Sequence, residues 1–126
     1  MKGIEADRAA AKHPKLVHSI WGLVSHLAAW VEVVTIRIDE WRPLVEPDDG
    51  DFPPVTDLSP AAWAAALERL HRSHHALLDV IARLDPGKLD RIVPGKDYPG
   101  AVMLHGTAQH YGYHAGQIAL LKKLLS

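Results

Sequence analysis

Apolar residues between Ile20 and Trp41 recur at alternating steps of four and three: Ile20, Val24, Leu27, Val31, Val34, Ile38 and Trp41. That spacing keeps one helical face apolar and predicts a bundle helix, capped by Ser19 and ended at Arg42-Pro43. A second strip, Leu23, Trp30 and Val33, widens the face, as expected of a helix that touches two neighbours. Trp63, Leu67, Leu70, His74, Leu77, Ile81 and Leu84 form another such seam after Ser59-Pro60, a helix start with cap and first-turn proline. Pro86-Gly87 closes it. A last helix is predicted from about Ala101 to Lys122 and Lys123, whose charges suit a helix C-terminus. Its seam is Met103, His110, His114, Gln117, Leu121 and Leu124. Residues 4–12 give a short Ala-rich helix closed by His13-Pro14.

The segments between these helices are not strand-like. Residues 42–58 carry four prolines, one glycine and five acids, which predicts an extended crossover. Its acids lack calcium-loop spacing and read as a solvated loop. Residues 86–100 are a second loop. The expected fold is therefore all-α: three long helices and one short one in a single domain, residues 1–126. The long crossover lets two consecutive long helices lie parallel.

Two polar residues in an apolar seam change this picture. His110 and His114 project from one helical face one turn apart, in the middle of the last seam. A buried imidazole needs a partner, and leaving one unmet costs about 1–3 kcal/mol. Two readings stand for the pair: hydrogen-bonded core histidines, or ligands of a divalent metal. Gly106, Gly112 and Gly116 interrupt the same helix at about 1 kcal/mol each relative to alanine, which calls for close helix approach or room beside the imidazoles. A third ligand is needed. His26 is the only histidine on the apolar arc of the first long helix and is the natural one. Trp30, one turn further on, faces the same pocket, either as packing or as an aromatic wall. Gln117 is suited to position a ligand or to orient an imidazole. Trp30 and Gln117 are thus the candidate substrate contacts.

The other histidines read differently. His71 and His75 repeat the spacing but flank their seam among Arg69, Arg72 and Ser73, as solvated surface residues. His74 occupies the seam and is expected to be a hydrogen-bonded core histidine. His13, His18 and His105 are not expected to be ligands.

Composition narrows the chemistry. The chain has 126 residues, 48% hydrophobic and 23% charged, with net charge −1. No basic run exceeds Lys122-Lys123, so no nucleic-acid partner is expected. No apolar run approaches the roughly 20 residues that span a bilayer, and no secretory leader is visible, so a cytoplasmic protein is expected. There is no cysteine among the residues. Thiolate nucleophiles and Cys-bound zinc are excluded, and any thiol chemistry must use a cosubstrate thiol.

The chain resembles the DinB/YfiT-like superfamily. The likeness lies in Ser19-Ile20-Trp21-Gly22-Leu23-Val24-Ser25-His26-Leu27-Ala28-Ala29-Trp30, the Asp51-Phe52-Pro53 crossover and Ala62-Trp63…Leu67…Leu70. It continues in the block from His105-Gly106 through Gln109-His110 and His114-Ala115-Gly116-Gln117-Ile118 to Lys123. The resemblance implies a four-helix bundle with a long crossover and a divalent metal held by three histidines, here His26, His110 and His114. It also implies activities such as thiol-dependent transfer or isomerisation with low-molecular-weight thiols. Many members have no assigned activity.

Three neutral imidazoles with open positions make a Lewis-acid site that yields hydroxide or thiolate near neutral pH. By ligand type the metal is zinc, nickel, iron or manganese. No general base is evident. The leading expectation is a metal-dependent thiol S-transferase, isomerase or hydrolase on small molecules. The alternatives are a non-catalytic metal-binding stress or interaction protein, and a bundle whose histidines are purely structural. Chains of this family usually carry a full first helix before the segment matching residues 4–14. Its absence predicts an apolar groove buried in a homodimer through Trp21, Trp30 or Trp63 and leucines of the long helices.

Overall fold

The computed structural model describes residues 4–13 and 17–125. Pro14, expected to close the first helix, lies outside the described residues. Four α-helices follow in order: α1 (Ala6–Ala10), α2 (Ile20–Asp39), α3 (Pro60–Ala82) and α4 (Gly100–Leu124), with a 3-10 turn at Pro86–Leu89. The fold is the all-α bundle expected.

Local chemistry sets the helix starts. The Ser19 hydroxyl accepts from the Gly22 amide at 2.9 Å and the Ser59 hydroxyl from the Ala62 amide at 3.1 Å. Each such cap is worth about 1 kcal/mol. Helix α1 is too short to stand alone. It is held by burial of Ile4, Ala6 and Ala9 and by the Trp63 indole, which donates to the Ile4 carbonyl at 2.9 Å.

Helix α2 is the axis of the fold, with thirteen of its twenty residues buried, and α3 and α4 both pack against it. Trp21 and Trp63, near the two helix starts, lie ring to ring at 5.2 Å, while Arg83 pairs with Asp39 at the far ends. Helices α2 and α3 therefore run parallel, as the long crossover requires. Helix α4 runs the other way: Ile118 and Leu121 join Ile20 and Trp21 in one core cluster, and Met103 joins Val34, Ile38 and Val80 in another.

The crossover is pinned, not loose. The Arg69 guanidinium on α3 grips both Glu32 oxygens at 2.9 and 2.7 Å and Asp49 at 2.9 Å. Arg37 of α2 donates to the carbonyls of Leu44 and Val45. These contacts fix the crossover just ahead of Asp51. The second loop closes through Val93 N–H to the Tyr98 carbonyl and Gly100 N–H to the Arg91 carbonyl. Gly100 is needed there, because a Cβ would lie 2.3 Å from the Lys88 carbonyl oxygen.

Several expectations are corrected. Helix α2 stops at Asp39 rather than Trp41, and Trp41 takes a left-handed φ of 52°. Lys88 explains the stop: its ammonium caps the Ile38 and Asp39 carbonyls and sits 5.3 Å from the Trp41 ring centre. Helix α2 also reaches membrane-spanning length and apolarity, contrary to expectation. Its burial within the bundle accounts for that composition.

The seam of α3 is shifted. Trp63, Ser73, Leu77 and Val80 are buried, whereas His74 is exposed and Ile81 is 39% exposed. His74 is thus not a core histidine. Positions 63, 70, 77 and 84 serve either register, and the small residues Ala66 and Ser73 with Val80 provide the other contacts against α2. Leu67 and His74 are turned instead toward a groove that Tyr111 of α4 also lines.

Candidate metal centre

His26 is carried by the second strip of α2, and His110 and His114 by successive turns of α4. Because the two helices are antiparallel and in contact, the three imidazoles meet. His26 Nε2 lies 3.1 Å from His110 Nε2 and 3.1 Å from His114 Nε2, and the last two are 2.8 Å apart. His26 and His114 are buried and His110 is half-buried.

Neighbouring acceptors set the tautomers. His26 Nδ1–H donates to the Asp51 carbonyl oxygen at 2.7 Å. His114 Nδ1–H donates to Gln117 Oε1. A neutral imidazole carries one N–H, so both rings turn a bare lone pair into the triangle. Only His110 has a proton free to place there, and one proton cannot satisfy three facing nitrogens.

Protonation is also opposed. Burial pushes His26 below its ordinary value, against the opposing hydrogen bond to the Asp51 backbone. Burial, with His114 and His26 nearby, lowers His110 as well. Converging lone pairs, on rings of which His26 and His110 resist protons, are suited to a metal ion. With metal–nitrogen bonds of about 2.1 Å, nitrogens on an octahedral face stand about 3.0 Å apart and on a tetrahedral face about 3.4 Å. The observed 2.8–3.1 Å is of this order. The residues present therefore fit a divalent ion.

The lowered values carry a pH consequence for metal-free protein. The unfolded chain takes up protons on His26 and His110 at the ordinary 6.5, the folded chain only at lower pH. Stability is thus full above 6.5 and declines as pH falls from there through the folded values. Urea midpoints in chelator at about pH 7.5 and pH 5.5 should show the drop, and His110→Gln should reduce it. An unchanged midpoint would contradict the assignment.

The crossover supplies the outer support. The Asp51 carboxylate lies 3.2 Å from His26 Nδ1 and accepts the Trp30 indole N–H at 2.6 Å. Phe52 is sandwiched between His26 and His18, with ring centres at 4.1 and 3.7 Å and nearly parallel planes. Such partners fix ring orientation and raise ligand basicity.

Beside the triangle opens a cavity of about 590 Å³, within the usual range for small-molecule sites. His26, His110, Trp30, Asp51, Tyr98 and Arg37 are among its lining residues, together with Val31, Val34 and Met103. Trp30 is therefore at the cavity, as its place on the helix suggested. Gln117 is bonded to His114 through its Oε1 and is not among the lining residues. His71, His75 and His105 are exposed and apart from the triangle. His18, set aside as a ligand, forms the wall behind Phe52. Asp51 was hidden among five crossover acids, and its Asp51-Phe52-Pro53 context was the only signal.

Parallel α2 and α3, antiparallel α4 and three histidines brought together between α2 and α4 define a helical bundle with a site that could hold a metal ion. The chain belongs to the DinB superfamily, whose family model matches residues 1–118. No curated protein and no solved structure gave a significant match.

Proposed function

We propose that this is a metal-dependent cytoplasmic enzyme that transfers or isomerises small molecules with a low-molecular-weight thiol as cosubstrate. One observation carries the reading: three Nε2 atoms converge, two fixed as lone pairs, and two of their rings, His26 and His110, line a largely apolar cavity of small-molecule size. His26, His110 and His114 would hold zinc, nickel, iron or manganese, and the bound ion would supply Lewis-acid activation of a thiol. The chain's own residues do the rest. Asp51 and Gln117 keep the imidazoles in the ligating tautomer, Phe52 screens His26 from water, and Trp30 walls the cavity. The chain contributes no thiol of its own. Turnover of a panel of electrophiles with cysteine, glutathione and other small thiols tests this. Metal-dependent, thiol-dependent product supports it. Stoichiometric metal without turnover on any pair favours a non-catalytic metal-binding protein.

We further propose that the chain works as a homodimer through the groove between α3 and α4. Leu67, Leu70, His74 and Tyr111 line it, and Leu78, Ile81, Leu120 and Leu124 are exposed on the same two helices. The buried Tyr111 hydroxyl has no partner among the described residues, and burial pushes it up to about 12. Gly106 faces the cavity, but a Cβ added at Gly112 or Gly116 also meets nothing within 4 Å, so the chain itself gives no packing reason for these two glycines. A second copy lying close on α4 would. Trp21 and Trp63, expected at the interface, are instead buried within the chain. Sedimentation at micromolar concentration should give twice the chain mass, and Gly112→Leu should reduce it to the monomer. A well-folded monomer for the parent protein would contradict the dimer.

A further inference from the structure

The cavity has two polar ends. The histidine triangle is one, and Arg37, three helical turns along α2, is the other. Arg37 side chains on α2 lean back toward the helix N-terminus, and here the guanidinium carbon lies 5.8 Å from the Trp30 ring centre. Trp30 thus stands between the cation and the triangle, and Val31, Val34 and Met103 make the intervening wall apolar.

Arg37 is only 5% exposed. Burial lowers it from its ordinary value, yet an arginine remains charged. Its Nε and Nη2 donate to the Leu44 and Val45 carbonyls at 2.7 and 3.0 Å. No carboxylate pairs with it among the described residues. The nearest acid in the cavity, Asp51, is engaged with His26 and Trp30. A guanidinium has five N–H donors, and two are used here. Holding the crossover accounts for those two. It does not account for a buried positive charge with no counter-charge, which is costly unless something neutralises it. Tyr98 also lines the cavity.

We infer that the ligand of this cavity is a small carboxylate with an apolar body, its carboxylate held by Arg37 and its opposite end directed at the histidine triangle. The inference rests on the proposed small-molecule site but not on the metal, since the anchor is part of α2. Arg37 is a binding residue here and takes no part in bond making.

Titration calorimetry and Trp fluorescence with hexanoate and hexanamide test it, on the parent protein with metal and after chelation. Hexanoate should bind about ten- to hundredfold tighter than hexanamide, the range expected of charge-assisted hydrogen bonds. The preference should persist after chelation, disappear in Arg37→Gln and survive in part in Arg37→Lys. Equal binding of acid and amide by the parent protein would overturn the inference, and needs no folded variant. So would a preference that survives in Arg37→Gln and vanishes on chelation, because the carboxylate would then sit on the metal. Metal content, measured on the same samples, reports separately on the enzyme reading.

Discussion

His110→Ala protein is expected to lose stoichiometric divalent metal and, with it, the thermal stabilisation that metal confers. Removing one of three ligands leaves two nitrogens, His26 Nε2 and His114 Nε2, 3.1 Å apart and no longer a closed face. A ligand that binds only the native state at a thousandfold excess over Kd stabilises by about 4 kcal/mol. For a chain of this size that corresponds to roughly 10–15 °C in Tm. In chelator the parent and variant should differ by only about 1 kcal/mol, since the variant also removes one crowded lone pair. Exposed His71 and His75 are the controls, and alanine at either should leave metal and Tm unchanged. If His110→Ala costs the same stability with and without metal, the imidazoles are core polar residues and the metal reading fails.

The second large effect is expected at Gln117. Its Oε1 accepts the His114 Nδ1 proton, which keeps the Nε2 lone pair aimed into the triangle. Gln117→Leu removes that acceptor, and the ring gains by moving its proton to Nε2, where it blocks ligation. Loss of an outer partner of this kind weakens metal about ten- to hundredfold. Gln117→Glu keeps an acceptor, adds charge, and should hold metal at least as tightly as the parent. Competition titration with a chromophoric chelator reads both. Equal affinity in parent and Gln117→Leu would show that the tautomer is set elsewhere.

How far these features could be read from residues alone depended on how much each one constrains. The α2 seam was legible from Ile20 to Ile38, where every one of its positions is buried, but not at Trp41, which lies beyond the helix. The meeting of His26 with His110 and His114 followed from helix faces, once an antiparallel α4 was granted. The α3 seam was misread for a physical reason. Leu67, His74 and Ile81 are larger than Ala66, Ser73 and Val80, and a hydrophobicity pattern prefers the larger set. Close parallel packing against α2 prefers the smaller. The C-terminal stop of α2 was missed because its cap, Lys88, comes from nearly fifty residues away. Asp51 acts on His26 partly through its backbone carbonyl, which any residue could offer, so its side-chain identity gave little notice.

The most direct test of the central claim is metal content per chain. Protein purified without a histidine tag, dialysed against zinc, nickel, iron(II) or manganese in turn, should retain one equivalent of at least one of them. His26→Ala, His110→Ala and His114→Ala should each retain none, and His71→Ala the full equivalent. Less than a tenth of an equivalent for every metal in the parent protein, or equal retention in all four variants, would contradict it.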